Sequence, residues 1–223
     1  TMDKRTETAE EIDRKLALHY YGRMQFVEEL LPLLRRGAAA DGVQEAKVVS
    51  ILSAGEHQSY LEQGDLWLRR NYTLSDAANA AGFYTDLMLD VYARREENLG
   101  VAFMHIHPGN VRTGWGANLS PVQRMLAKLI QFGAISPEQC ADKLSGPLFS
   151  EHVSKGGFFL VGKGGEPAHT ASGHGPVWRN LVAEHTTTVL DDAKAIARRA
   201  EAEDAKNSAA GAPAAADAPT VSA

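Results

Sequence analysis

Two short and nearly continuous apolar runs constrain the fold of this chain more than any other feature. The first, AKVVSILS, covers 46–53, and the second, VAFMHIH, covers 101–107. Runs of this length without polar alternation are typical of parallel strands that are covered on both faces. A parallel pair needs a long crossover, and the stretch between the two runs is long enough to form a helix. The chain is therefore predicted to contain a right-handed βαβ unit.

The polar residues that follow these two strands are predicted to meet. Ser53 closes the first strand, and the second is followed by the turn Pro108-Gly109-Asn110-Val111-Arg112-Thr113. Open α/β sheets bind their ligands at the carboxyl ends of their strands. This edge of the sheet is therefore the predicted ligand site.

The rest of the chain is predicted to complete one α/β domain. Apolar periodicity and end signals indicate a third strand at 157–162 and helices over 8–36, 73–97, 121–132, from Ser136 onward, and 176–200. Thr8 and Glu11 have the capping-box spacing at the start of the first helix. Residues 201–223 are rich in alanine and proline, so a disordered tail is predicted after a domain at 1–200.

The bulk composition excludes several classes of partner. The net charge of -5 and the pI near 5.9 give no basic surface for nucleic acid. No apolar run approaches the roughly 20 residues of a membrane helix. The single cysteine, Cys140, excludes an internal disulfide and fits a reducing compartment, and the polar start is unlike a targeting sequence. The chain is therefore expected to be cytoplasmic, without a membrane or nucleic-acid partner.

Three stretches, in this order and spacing, carry a resemblance to a known family. They are HYYGRMQFVEELLP at 19–32, VVSILSAG at 48–55 and PGNVRT at 108–113. The chain resembles the carboxyl-terminal part of the short-chain dehydrogenase/reductase family over about 8–165, most like its divergent fungal members. The resemblance implies a Rossmann-like doubly wound parallel sheet, an NADP or NAD cofactor and a small-molecule carbonyl or alcohol substrate. It also implies a homodimer that pairs through the helices at 8–36 and 74–97.

The family's site residues transfer to named positions of this sequence. Ser53 falls at the serine that orients the carbonyl oxygen, and Tyr72 at the tyrosine that handles the proton. Asp76 falls at the lysine one helical turn later, and His19 at the asparagine that positions a relay water. The turn residues that the resemblance implies as the border of the nicotinamide are Pro108, Gly109, Asn110, Val111 and Thr113.

The replacement of lysine by Asp76 changes the chemistry that the resemblance implies. A carboxylate on the same helix face would oppose ionisation of the tyrosine hydroxyl, whereas a lysine would favour it. Arg69 or Arg70 would have to compensate, or the chain is a non-catalytic Rossmann-like binding protein. A second alignment with the family places Tyr84 at the tyrosine position and Met88 at the lysine position. This alignment leaves too few residues before Pro108 for a helix and a strand.

The glycine-rich phosphate turn of the family is not found near the amino end of this sequence. GKGGEP at 162–167 follows the last predicted strand and is no substitute. Without such a turn the pyrophosphate lacks its usual anchor. The chain is therefore expected to be a fragment that lacks the amino-terminal half of the fold, and the choice between NAD and NADP stays open.

Two histidines on the second strand have a spacing that metal ligands use. His105 and His107 are expected on one face of the strand. The sequence gives no third ligand near them, so no metal site is predicted.

Overall fold

The computed structural model describes residues 4–40, 46–112, 133–151, 153 and 156–210. Within these ranges, three parallel strands form one sheet in the order β1-β2-β3: β1 (Ala46–Ile51), β2 (Val101–Ile106) and β3 (Gly157–Val161). Ala46 lies opposite Val101, and Ala102 lies opposite Gly157. All three predicted strands are confirmed, and the chain has a mixed α/β, partial Rossmann-like fold.

In the described parts of the chain, four α-helices pack around the sheet. Helix α1 runs through Arg14–Leu16, a π-helical turn at Ala17–Tyr21, and Gly22–Ala38. Helix α2 (Leu74–Ala93) connects β1 to β2, and α3 (Pro137–Leu148) lies between β2 and β3. Helix α4 (Pro176–Ala210) follows β3. The helix predicted at 121–132 and the residue Thr113 lie outside the described residues.

The two faces of the sheet are covered by different helices because strand side chains alternate between the faces. Val101 and Phe103 of β2 pack in a cluster with buried residues of α1, α2 and α4. Ala102, Met104 and Ile106 pack instead with Cys140 and Leu144 of α3. Every residue of β2 is buried, as expected for the central strand of a sheet covered on both faces.

Three predicted helix ends are wrong, one of them because α2 ends at Ala93 and a separate 3₁₀ turn follows at Glu96–Asn98. The first helix begins at Arg14, where Asp13 caps it by accepting from the backbone N–H groups of Lys15 and Leu16 at 3.0 and 3.1 Å. The predicted capping box at Thr8 is not helical, because Glu11 has a left-handed φ of 62°. Helix α4 continues to Ala210 rather than ending near Ala200, since the stretch after Ala200 is rich in the helix formers alanine and glutamate.

Helix α2 is enclosed by its own chain. Its buried residues include an unbroken run, 80–90. This helix therefore has little surface left for the predicted homodimer, whereas α1 exposes Leu18, Phe26, Leu30 and Leu33. No helix in the described parts of the chain is both long and apolar enough to span a bilayer.

The long connection from β1 to α2 is held by one buried carboxylate. Asp65 accepts hydrogen bonds from the backbone N–H groups of Arg69, Arg70 and Asn71 at 2.7, 2.9 and 3.2 Å. Burial alone would raise the pKa of Asp65, but these three donors lower it below its ordinary value. The turn that precedes Tyr72 is therefore fixed by a charge.

Replacing Asp65 with alanine is expected to lower the free energy of unfolding by about 2 kcal/mol, because three backbone donors lose a charged acceptor. Urea denaturation at pH 7 measures the loss. The matched control is Glu62→Ala, an exposed carboxylate nearby in the same connection, which is expected to change stability by no more than about 0.5 kcal/mol. Equal effects of the two substitutions would contradict the proposed anchoring role.

Candidate active site

The carboxyl ends of β1 and β2 lie side by side. The Leu52 N–H donates to the Ile106 carbonyl at 2.8 Å, so the residues after each strand continue next to one another. Ser53 follows β1 here, and His107 and Pro108 follow β2. The Glu56 carboxylate lies 4.0 Å from Nε2 of His107 across this edge. The structure therefore brings Ser53 and the Pro108-Gly109 turn to the same edge of the sheet.

Ser53 lies next to a buried network of two histidines and an aspartate. Nδ1 of His57 lies 3.4 Å from Oγ of Ser53, and Nε2 of His57 lies 3.2 Å from Oδ2 of Asp86. Nδ1 of His105 bonds to Oδ1 of Asp86 at 2.5 Å. The side chains of Asp86 and His105 are fully buried, and that of His57 is 2% exposed. Such burial of ionisable groups requires mutual pairing.

His105 is held neutral with its proton on Nδ1. Nε2 of His105 accepts the backbone N–H of Ser53 at 3.0 Å, so this nitrogen carries no proton. Nδ1 donates to Asp86. Burial lowers the pKa of His105 and outweighs the attraction of Asp86. The His105 ring therefore holds the backbone N–H of Ser53 in place.

Asp86 is the anion of the network. Burial alone would raise the pKa of Asp86, but the hydrogen bonds and charges of His105 and His57 lower it below its ordinary value. Burial alone would lower the pKa of His57, yet its contacts with Asp86 and with the Ser53 carbonyl raise it overall. Nε2 of His57 approaches Asp86 at 3.2 Å without hydrogen-bond alignment, so this contact is an ion pair when His57 is protonated.

Helix α2 faces this network with its smallest residue. A Cβ atom added to Gly82 would lie 2.5 Å from Cγ of His57 and 2.6 Å from Oγ of Ser53. Asp86 follows Gly82 by one helical turn. The His57 ring thus occupies the space that any larger side chain at Gly82 would need. The α2 residues that face this network are a glycine and an aspartate rather than a tyrosine and a lysine.

Tyr72 and Asp76 lie away from Ser53. Helix α2 begins at Leu74, eight residues or about 12 Å of helix before Gly82. The Tyr72 ring lies under the Lys15 ammonium at 4.9 Å, and its hydroxyl is buried without a hydrogen-bond partner in the described structure. Asp76 accepts the Thr73 hydroxyl at 2.6 Å at the start of α2. Ser53 and Tyr72 are therefore not hydrogen-bonded to each other.

The other predicted proton-handling residues also have local roles. His19 lies in the π-helical turn of α1, where burial and then the charge of Arg23 lower its pKa. Arg23, one turn later, donates to the Ile51 carbonyl at 2.7 Å and so links α1 to the end of β1. Tyr84 of the second alignment is buried in the core, and its hydroxyl donates to the Leu66 carbonyl at 3.3 Å.

The turn after β2 borders an open cleft of about 470 Å³. Gly109 has a left-handed φ of +72°, and a Cβ atom there would lie 3.1 Å from Cβ of Lys163. The Cys140 thiol reaches the Pro108 carbonyl at 3.5 Å, and Val111 forms a bridge with Ile135. Residues lining the cleft include Gly109, Asn110, Ile135, Lys143, Lys163 and Glu166.

This edge fits the nicotinamide end of a dinucleotide better than its phosphates. Ser53 offers a partly buried hydroxyl after β1, and the partly buried Pro108-Gly109 turn follows β2, where Gly109 lines the cleft. The helices that follow β1 and β2 carry Asp76 and Glu138 in their first turns. Phosphate binds well at a helix N-terminus, but a carboxylate there repels it. The described residues therefore give no pyrophosphate anchor at α2 or α3.

Sequence reasoning missed His57 and Asp86, and considered His105 only as a metal ligand. A signal for Asp86 was present, since an aspartate within the apolar run GFYTDLML requires a buried partner. His57 lies in an irregular connection, where no periodicity indicates which way a side chain points. Its one clue was its position four residues after Ser53.

The sequence of this chain is similar to those of several fungal oxidoreductases. No family model matches the chain. It is 35% identical over 117 residues to "Oxidoreductase AN1596" of Emericella nidulans, a match that covers 52% of this chain and 32% of the relative. It is 33% identical over 111 residues to "NmrA-like family domain-containing oxidoreductase notO" of an Aspergillus species, covering 49% and 31%. "Oxidoreductase andH" of Emericella variicolor is 32% identical over 109 residues, covering 49% and 30%. The chain thus spans about a third of the length of these relatives.

Proposed function

We propose that this chain functions as an NAD(P)-dependent oxidoreductase of the short-chain type, which interconverts a carbonyl and an alcohol on a small molecule. The observation that carries the proposal is the position of the Ser53 hydroxyl. It lies at the carboxyl edge of a parallel sheet, beside the Pro108-Gly109 turn, and its Oγ is 3.4 Å from Nδ1 of His57. The names of the similar fungal proteins support the same class of reaction.

The chain's own residues have separable tasks in this proposal. The Ser53 hydroxyl donates a hydrogen bond to the carbonyl oxygen of the substrate and polarises the carbonyl bond. The Pro108-Gly109 turn borders the nicotinamide, together with Asn110, Val111 and Thr113. When bound, the dihydronicotinamide supplies the hydride that reduces the carbonyl carbon.

Ser53→Ala tests this proposal directly. It is expected to lower kcat/KM for carbonyl reduction about 100-fold, because one donor to the developing oxyanion is lost. The Kd for NADH or NADPH, measured by nicotinamide fluorescence, is expected to stay the same. Rates come from the decay of dihydronicotinamide absorbance with a panel of aldehydes and ketones. The control is Ser145→Ala on α3, whose exposed hydroxyl donates only to the Asp142 carbonyl.

A second candidate function, a non-catalytic binding module, is supported by the absence of a tyrosine–lysine pair beside Ser53 in the described structure. Binding of dihydronicotinamide without carbonyl-dependent oxidation would favour this candidate. Turnover that survives Ser53→Ala unchanged would place the chemistry elsewhere. Absence of both binding and turnover would refute the oxidoreductase proposal for this chain.

A further inference from the structure

His57 is enclosed in a way that fixes its protonation state. Its Nδ1 lies 2.8 Å from the Ser53 carbonyl oxygen, and its Nε2 lies 3.2 Å from the Asp86 carboxylate. A carbonyl and an ionised carboxylate both only accept hydrogen bonds. Favourable contact at both nitrogens therefore requires a proton on each, which makes His57 an imidazolium. In that state the imidazolium and the Asp86 carboxylate would form one buried ion pair.

We propose that His57 is the proton source of the active site, in place of the predicted Tyr72, and that Ser53 relays its proton to the substrate. This inference rests on the proposed carbonyl reduction. The carbonyl carbon gains a hydride from the dihydronicotinamide, and the carbonyl oxygen takes the proton of the Ser53 hydroxyl. Oγ of Ser53 takes the Nδ1 proton of His57, which becomes neutral. Asp86 keeps its charge throughout, and alcohol oxidation runs the same path in reverse.

The surroundings of the ring support a relay through Ser53 rather than direct contact with the substrate. Ser53 and His57 are both partly buried as whole residues, but the His57 side chain itself is 2% exposed. Nδ1, which carries the transferable proton, lies 2.8 Å from the Ser53 carbonyl oxygen and 3.4 Å from Oγ of Ser53, so the proposed transfer moves this proton from the carbonyl to Oγ. Gly82 leaves room for the ring on the side of α2. A substrate therefore has little access to the His57 ring, so in this proposal His57 acts through the neighbouring Ser53 hydroxyl.

Ionisable groups from four segments of the chain surround His57. Asp86 faces it from α2, and the neutral His105 of β2 stacks on it at 5.9 Å between ring centroids. Arg23 of α1 binds the end of β1 through Ser50 and Ile51. Beyond the ends of β1 and β2, Glu56 and His107 form a 4.0 Å pair at the edge of the sheet. Asp86 is the anion in contact with the ring, so it decides the protonation of His57.

Nitrogen-15 NMR of the histidine side chains tests the protonation state without any cofactor. The sample is the full 223-residue chain, and His57→Gln and His105→Gln assign the two signals. At pH 7 we expect both nitrogens of His57 to be protonated and His105 to carry its proton on Nδ1 alone. Asp86→Asn is expected to lower the midpoint of the His57 titration by about 1 to 3 pH units. A His57 that is neutral at pH 7 in the unmodified chain would overturn the inference.

Kinetics test the proton transfer itself. His57→Gln is expected to lower kcat for carbonyl reduction about 100-fold, with an unchanged Kd for dihydronicotinamide. In the unmodified chain the reduction rate should fall as pH rises through the His57 midpoint, a profile that a purely structural residue would not produce. The control, His169→Gln, replaces an exposed histidine. Should His57→Gln fail to fold, the His57 midpoint from NMR must still match the kinetic midpoint.

The outcomes separate this inference from the proposed function. A chain that reduces carbonyls while His57→Gln retains the rate, or whose rate does not follow the His57 titration, overturns only the proton-source role. Loss of rate in Tyr72→Phe but not in His57→Gln would return that role to Tyr72. A chain without any carbonyl reduction refutes both proposals, even if His57 is an imidazolium.

Discussion

Asp86→Ala is expected to lower the free energy of unfolding by about 3 to 5 kcal/mol, the cost of removing one partner of a buried ion pair. The substitution leaves the Nδ1–H of His105 without its acceptor and removes the counterion of His57. Both rings remain trapped between β2, α2 and the connection after β1. Because β2 is the central strand, the loss affects the whole sheet. Urea denaturation at pH 7, followed by circular dichroism, measures the change.

Two comparisons make the Asp86 result interpretable. Asp86→Asn keeps an acceptor for His105 but removes the charge, so its loss is expected to lie between those of the alanine variant and the unmodified chain. Asp142→Ala removes an exposed carboxylate from α3 and is expected to change stability by less than about 0.5 kcal/mol. A cost for Asp86→Ala as small as that of Asp142→Ala would mean that the buried network contributes little to the fold.

The sheet was predictable because burial on both faces leaves a local signal. AKVVSILS and VAFMHIH have no polar alternation, and the structure forms β1 and β2 within them. The placement of Ser53 beside the Pro108-Gly109 turn follows from parallel topology alone. The start of α3 at Ser136 was also predictable, since its capping box is made by neighbouring residues. Each of these features depends on contacts close in sequence or on chain direction.

The partners of Ser53 were not predictable because they depend on packing between distant elements. Which α2 residue faces Ser53 is decided by the close approach of the His57 ring to Gly82, and motif spacing alone selected Tyr72. The capping-box pattern at Thr8 failed for a related reason. The buried Asp13, which is 1% exposed, caps α1 instead, so the helix starts later. Local patterns identified the strand that bears the hydroxyl but not the side chains that surround it.

The second large effect is a loss of folding stability at low pH that is caused by His185. His185 of α4 is buried among Tyr21, Trp67 and Tyr84, and its Nε2 lies 2.7 Å from the Tyr21 hydroxyl. Burial lowers the pKa of His185 to about 4 from an ordinary value of 6.5. Below pH 6.5 the unfolded chain therefore binds a proton at His185 that the folded chain does not. Stability that is fully present above pH 6.5 is lost as pH falls toward 4, by about 3 kcal/mol in total.

The contribution of His185 to the pH dependence of stability is measured by denaturing the unmodified chain and His185→Gln at pH 7.5 and at pH 4.5. The glutamine can still accept from the Tyr21 hydroxyl but does not titrate, so its stability should fall by about 2 to 3 kcal/mol less over this range. His57, Asp86 and His105 titrate in both proteins, and their contributions cancel in the difference. His57 has the opposite sign, since its raised pKa favours the folded state at low pH. His169→Gln, at an exposed position, should keep the full pH dependence, and an identical loss in His185→Gln would show that α4 does not hold a neutral histidine in the core.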